Sequence, residues 1–87
     1  MSFDSKKLEN KLIIALRPSF IGMEEIEGIL NIVICCKSFN YLEVSERVQL
    51  VNDVIYDGEE NLINEKPVII QAFNEEEMDG LLETILL

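Results

Sequence analysis

Apolar side chains recur at helical spacing in three segments of the chain, and each segment predicts an amphipathic helix. The first helix runs from about Ser5 to Arg17 and ends there, because Pro18 disfavours helical backbone in the residue before it. The second spans residues 44–56, and the third begins after residue 74. The three apolar stripes are, in chain order, Leu8, Leu12, Ala15 and Leu16, then Val44, Val48, Val51 and Ile55, then Met78, Leu81, Leu82 and Ile85.

The segments between these helices have the composition of strands. Residues 29–36 form a mostly β-branched apolar run, which is typical of a buried strand. An earlier strand is predicted around Phe20 and Met23, joined to the buried strand by a short acidic turn at residues 24–27. Pro67 opens a third strand over residues 68–73. Asn74 follows as a helix cap, and Glu77 three places later completes a capping box.

The predicted order of elements is α-β-β-α-β-α within a single domain, residues 1–87. Strands one and two form a hairpin, and the β-α-β unit that follows should cross over right-handed, which makes strands two and three parallel. We therefore predict an α+β two-layer fold with a three-stranded mixed sheet and helices on one face.

Charge is distributed unevenly along the chain, whose formal net charge is −10. Residues 1–20 hold four basic and two acidic side chains, whereas residues 21–87 hold three basic and fifteen acidic ones. An acidic body of this kind repels the phosphates that nucleic-acid-binding proteins neutralise, and it favours a basic protein partner. The alternative is that the acidic side chains are solvated helix faces with no partner.

The composition also excludes most catalytic and metal chemistry. The chain has no histidine, so it lacks the usual general base and the commonest metal ligand. The Glu75–Glu77 run is explained by helix capping. No nucleotide-binding glycine motif is present. We therefore predict that the protein is not an enzyme, and that it has no catalytic, cofactor-binding or metal-binding residues of its own.

Cys35 and Cys36 are adjacent, so a disulfide between them would be strained, and together they are too few for a zinc site. Strand alternation places them on opposite faces, which predicts one core thiol and one half-exposed thiol. Two cysteines that form no disulfide are expected to be reduced, which favours an intracellular protein. The N-terminus lacks the apolar stretch of a signal peptide, and no apolar run could span a bilayer. We predict a cytoplasmic location, leave an organelle open, and predict no membrane partner.

Two stretches of the chain, together with the order of elements, resemble the BolA-like family. The stretches are residues 32–40 and residues 45–51. Phe39 stands where the family has a strand-ending phenylalanine, and Arg47 stands where it has the arginine of an Arg-His pair. The third strand and the capped helix after it also fit, so the resemblance covers nearly the whole chain in order and length.

The resemblance implies a fold similar to the type II KH fold and a small adaptor function. Family members bind monothiol glutaredoxins, share an iron–sulfur cluster with them, and act in cluster trafficking or iron regulation. The family histidines are absent here, because Val48 and Lys66 take their places and residues 23–28 offer no ligand. We therefore predict an adaptor whose partner surface includes Arg47, Lys66 and Pro67, and any shared cluster would be held by the partner.

Other interpretations stay open at this point. The chain could be an acidic interaction or inhibitor module for a basic partner. A KH-like nucleic-acid regulator is disfavoured, because both the net charge and the missing Gly-x-x-Gly loop argue against it. Arg47 could instead pair with Glu43 or Glu46 and cap its helix, and Lys66-Pro67 could simply be the entry from a loop into a strand. The sequence leaves the oligomeric state and the role of the two cysteines open.

Overall fold

The computed structural model describes residues 5–57 and 67–86, with side chains described as far as residue 81. Over these residues the elements follow the predicted order and form an α+β fold with a three-stranded mixed sheet. The elements are α1 (Ser5–Leu16), β1 (Phe20–Ile26), β2 (Ile29–Cys35), a 3-10 helix (Lys37–Tyr41), α2 (Val44–Ile55), β3 (Val68–Phe73) and α3 (Glu75–Leu86). The 3-10 helix was not predicted. Within the described part of the chain, no helix is long and apolar enough to cross a bilayer.

β2 is the central strand of the sheet, antiparallel to β1 and parallel to β3, as predicted. Ile26 pairs with Ile29, so the hairpin turn consists of Glu27 and Gly28 alone. Both turn residues have positive φ, 52° and 82°, as a type I′ turn requires. The predicted turn at residues 24–27 was therefore wrong. β1 continues through the acidic stretch because the turn needs the glycine, which lies further along the chain.

The two faces of the sheet differ in what covers them. On the face that we call the closed face, the side chains of Leu30, Ile32 and Ile34 are 0% exposed. They pack with buried residues of α1 and α2, namely Leu8, Leu12, Val51 and Ile55. Leu16 packs partly against this core, but the predicted stripe residue Ala15 is exposed.

The other face, which we call the open face, carries the alternate residues of each strand. β2 contributes Asn31, Val33 and Cys35 to it, and their register partners include Phe20 and Phe73. The predicted placement of helices on one face describes α1 and α2. α3 contacts mainly β3 and the 3-10 helix, and it borders the open face.

The buried stripe of α2 differs from the predicted one. Arg47, Val51 and Ile55 are buried, whereas Val44 is 57% exposed and Val48 is half-buried. The helix is therefore rotated about its axis relative to the prediction. The physical reason is that the Arg47 guanidinium has hydrogen-bond acceptors inside the fold, which a pattern of apolar positions does not reveal.

Candidate functional site

Arg47 is the buried cation at the end of the sheet. The residue is 6% exposed. Its Nε donates to the carbonyl oxygen of Leu42 at 2.9 Å, and one terminal nitrogen donates to the carbonyl oxygen of Ala72 at 3.3 Å and to Glu77 Oε1 at 2.5 Å. The side chain thus joins the loop before α2, the end of β3 and the first turn of α3. The alternative pairing with Glu43 or Glu46 is wrong, because the carboxylate partner is Glu77.

Glu77 completes this arrangement by capping α3. Its carboxylate accepts from the backbone N–H of Asn74 at 2.9 Å, and its own N–H donates to Asn74 Oδ1 at 2.8 Å, which confirms the predicted capping box. The Asn74 N–H and then Arg47 hold the pKa of Glu77 below its ordinary value of 4.5. Since this favours the ionised carboxylate, the stabilisation is present at neutral pH and is lost as the pH falls through the lowered pKa.

Of the three predicted surface residues, the structure describes Arg47 and Pro67, and these two lie apart. Pro67 is exposed at the start of β3, and its carbonyl oxygen accepts from Leu30 N–H at 2.9 Å, so it opens the strand as expected. Arg47 contacts Ala72 near the other end of β3, about 16 Å away by strand rise. Lys66 lies outside the described residues. Arg47 is buried and holds three elements together, and the predicted partner surface stays a prediction.

Both cysteines are buried and free, so the predicted half-exposed thiol was wrong. Cys36 is 0% exposed in the core of the closed face, and Cys35 is 2% exposed beneath the open face. The Ser19 hydroxyl lies 3.2 Å from the Cys35 carbonyl oxygen and 3.4 Å from its sulfur, and donates to them. Burial first, and then the neighbouring Cys35, raise the pKa of Cys36 to about 11. A thiol that stays protonated at neutral pH is a poor nucleophile and a poor metal ligand.

Metal-ligand geometry is also lacking among the described residues. No group of three or more histidine, cysteine, aspartate or glutamate side chains is placed to hold an ion there. Val48, which stands where the resemblance expects a histidine, is a half-buried side chain of α2.

The open face holds a groove of about 950 Å³ that sequence reasoning did not identify. Phe20, Val33, Cys35 and Phe73 line it from the sheet, and Met78 and Leu81 line it from α3. Two signals in the sequence point toward it. The strand pattern puts apolar residues on both faces of β2, and the predicted placement of the helices on one face leaves the other face of the sheet without a predicted cover.

Polar groups surround this apolar lining. Glu75 and Asp79 of α3 line the groove, as does Gln71 of β3. Glu75 is held in place at the 3-10 helix, since its backbone N–H donates to Asn40 Oδ1 at 3.2 Å and its carboxylate accepts from Asn40 Nδ2 at 3.4 Å. The groove can therefore present apolar surface together with fixed negative charge.

Comparisons with known proteins identify the fold. The structure is similar to a bol-like protein from Babesia bovis, with a TM-score of 0.77, 20% identity and coverage of 94% of this chain and 96% of that one. It is also similar to BolA1 from Arabidopsis thaliana, with a TM-score of 0.68, 18% identity and coverage of 88% and 98%. The BolA domain of SufE1 from Arabidopsis thaliana aligns with a TM-score of 0.69, 20% identity and coverage of 87% and 99%. No family model and no curated protein matches the sequence. The chain therefore has a BolA-like fold, as the sequence resemblance implied.

Proposed function

We propose that this protein is a non-enzymatic adaptor that binds a monothiol glutaredoxin or a related iron–sulfur assembly protein, in cluster trafficking or iron regulation. The observation that carries the proposal is the BolA-like fold, which aligns with nearly the full length of each similar structure. One of those structures is a BolA domain within SufE1, which supports the use of this fold as an interaction module.

The residues of this chain argue that it binds a partner without ligating the cluster. The chain has no histidine, and its two thiols are 2% and 0% exposed. Iron ligation requires a deprotonated thiolate, and the raised pKa of Cys36 opposes that form. A cluster shared in the complex is therefore held by the partner's residues.

The partner contact that we propose lies beside Arg47, at Tyr41 and Val44. Tyr41 ends the 3-10 helix and is 88% exposed, and Val44 begins α2 and is 57% exposed. Aromatic side chains are enriched in protein interfaces, where they provide large contact areas. Arg47 fixes the loop between these two residues through its bond to the Leu42 carbonyl oxygen.

The test is an anaerobic titration of the full chain into a cluster-loaded monothiol glutaredoxin, with calorimetry for binding and visible absorption and circular dichroism for the cluster. We expect saturable binding with an unchanged cluster spectrum, since this chain adds no ligand. A changed spectrum would contradict the ligand-free part of the proposal, and absence of binding would contradict the adaptor itself.

A matched pair of variants tests the contact surface. Tyr41→Ser should weaken binding about tenfold, as truncation of an aromatic anchor commonly does. Tyr56→Ser is the control, because Tyr56 is 61% exposed at the opposite end of α2. Equal affinities of the two variants would show that the contact lies elsewhere.

A second candidate function is the acidic interaction module for a basic partner. The observation that favours it is the groove on the open face, where carboxylates of α3 border an apolar lining.

A further inference from the structure

We propose that the groove on the open face binds a short segment of another protein in which bulky apolar side chains are flanked by lysine or arginine. This site is separate from the Tyr41–Val44 contact, and the inference rests on the second candidate function proposed above, for which it specifies the partner. At about 950 Å³, the groove is at the upper end of the size range of sites that bury a compact ligand or several side chains.

The first argument is the exposed apolar surface of the groove. Phe20 is 50% exposed and Leu81 is 42% exposed, and both line it. Val33 and Phe73 between them are only half-buried. Single exposed apolar residues are ordinary, but a contiguous apolar surface in a concave site indicates a binding partner. The segment that fills it must therefore bring bulky apolar side chains.

The second argument is the sign of the charge around that surface. Glu75 and Asp79 lie one helical turn apart on α3 and both line the groove. A smaller cavity continues along the same face, since Phe20 and Val33 line both, and it adds Glu24. Among the described residues that line the two cavities, three are acidic and none is basic. The flanking side chains of the bound segment must therefore be cationic.

A second copy of this chain is the competing occupant. Ile14 of α1 is 72% exposed, and the exposed side chains of α1 also include Lys6. A contact between α1 of one copy and the groove of another would pair two different surfaces, and such contacts extend into rings or open filaments. This occupant predicts assemblies that grow with concentration, whereas the proposal predicts none.

The test uses the full chain labelled with ¹⁵N and a synthetic amphipathic peptide of leucine and lysine as the probe. We expect saturable shifts of the backbone amides of Val33, Phe73 and Met78. Affinity, measured by fluorescence anisotropy of the labelled peptide, should fall about tenfold between 0.15 M and 0.5 M salt, because exposed charges are screened more strongly. A peptide with glutamate in place of lysine should not bind.

Two charge-reversal variants locate the site. Asp79→Lys should weaken peptide binding about fivefold or more, because it reverses a charge in the groove. Glu76→Lys is the matched control. Glu76 is exposed on the same helix and does not line the groove, and its substitution changes the net charge by the same amount. We expect that control to change affinity less than about twofold.

An apolar pair completes the design. Leu81→Gln should weaken peptide binding about tenfold, whereas Ile14→Gln, which removes an exposed apolar residue outside the groove, should leave it unchanged. Both positions are exposed, so thermal unfolding should confirm that each variant folds.

Three results would overturn the proposal. They are equal effects of Asp79→Lys and Glu76→Lys, peptide-induced shifts confined to residues outside the groove, and self-association in sedimentation that Leu81→Gln or Ile14→Gln abolishes. Glutaredoxin titration with Asp79→Lys separates this site from the adaptor surface, since that variant should bind glutaredoxin as the unmodified chain does.

Discussion

The closed and open faces of the sheet are built by alternate residues of the same central strand. Leu30, Ile32 and Ile34 are fully buried, whereas Asn31 and Val33 between them are only half-buried. Cys35, the next residue of the open face, is buried again, and Val33 is as apolar as its buried neighbours, so composition alone does not explain the difference. The difference lies in what covers each face in the described part of the chain, and it shows that one strand can contribute to a core on one side and line a groove on the other.

α3 borders the open face, whereas the other two α-helices of the described chain pack on the closed face. Its first turn is fixed at the end of β3, where Glu77 binds Arg47 and Glu75 binds Asn40. α1 and α2, by contrast, place Leu8, Leu12, Val51 and Ile55 directly in the core. Among the described side chains of α3, Met78 and Leu81 line the space above the sheet, and that space is the groove.

The largest expected difference in stability between the two faces comes from truncating two adjacent side chains of β2, one on each face. Ile34→Ala should lower the free energy of unfolding by about 3–4 kcal/mol, because it leaves a cavity in a fully buried site. Val33→Ala should lower it by about 1 kcal/mol or less, because its side chain already borders open space. Chemical denaturation of both variants measures the difference, and equal losses would mean that the faces are equally packed.

Substitutions of Arg47 test whether the junction of α2, β3 and α3 depends on one side chain. Arg47→Ala should cost about 2–3 kcal/mol, since it leaves the carbonyl groups of Leu42 and Ala72 without a donor and Glu77 without its cation. Arg47→Lys should recover only part of this, because one ammonium cannot reproduce the fork of the guanidinium. Chemical denaturation measures these losses. Arg17 is an exposed arginine, so the control variant Arg17→Ala should change the free energy of unfolding much less.

The surroundings of Arg47 could not be predicted from the sequence. The element order, the parallel pairing and the capping box at Asn74 followed from local patterns of apolar residues, proline and caps. The rotation of α2 did not, because a buried arginine is recognisable only once its acceptors on β3 and α3 are placed. The groove likewise combines residues of β1, β2, β3 and α3, so its shape depends on how α3 lies beside the sheet, which the local apolar pattern of β2 does not give.

Raising the pH should affect the closed face through Cys36. Its pKa is raised from 9.0 to about 11 in the folded chain, so folding favours the protonated thiol. The resulting stabilisation is fully present below pH 9. The free energy of unfolding should then fall by about 1–2 kcal/mol as the pH rises from 9 to 11. Denaturation across this range measures it. Cys36→Ala is the control for tyrosine and lysine titration, and an identical pH profile in that variant would contradict the assignment.

The hairpin turn decides which side chains belong to which face, because a slip of one residue would exchange them. Gly28→Ala should cost about 1 kcal/mol, since φ of 82° is unfavourable for alanine although no atom lies within 4 Å of the added Cβ. Glu27→Asn should raise stability by about 0.5 kcal/mol, because asparagine tolerates positive φ better than glutamate. Thermal unfolding measures both changes, and a stabilising Gly28→Ala would contradict the turn assignment.

The pairing of β2 with two partners of very different sequence separation has a kinetic consequence. β1 meets β2 through a turn of two residues, whereas β3 meets it only after all of α2 has been passed. Local contacts form quickly, and closing a long loop before its contacts form costs entropy. The hairpin should therefore form early and the docking of β3 late, so the groove, which needs Phe73 and α3, would be among the last surfaces to exist during folding.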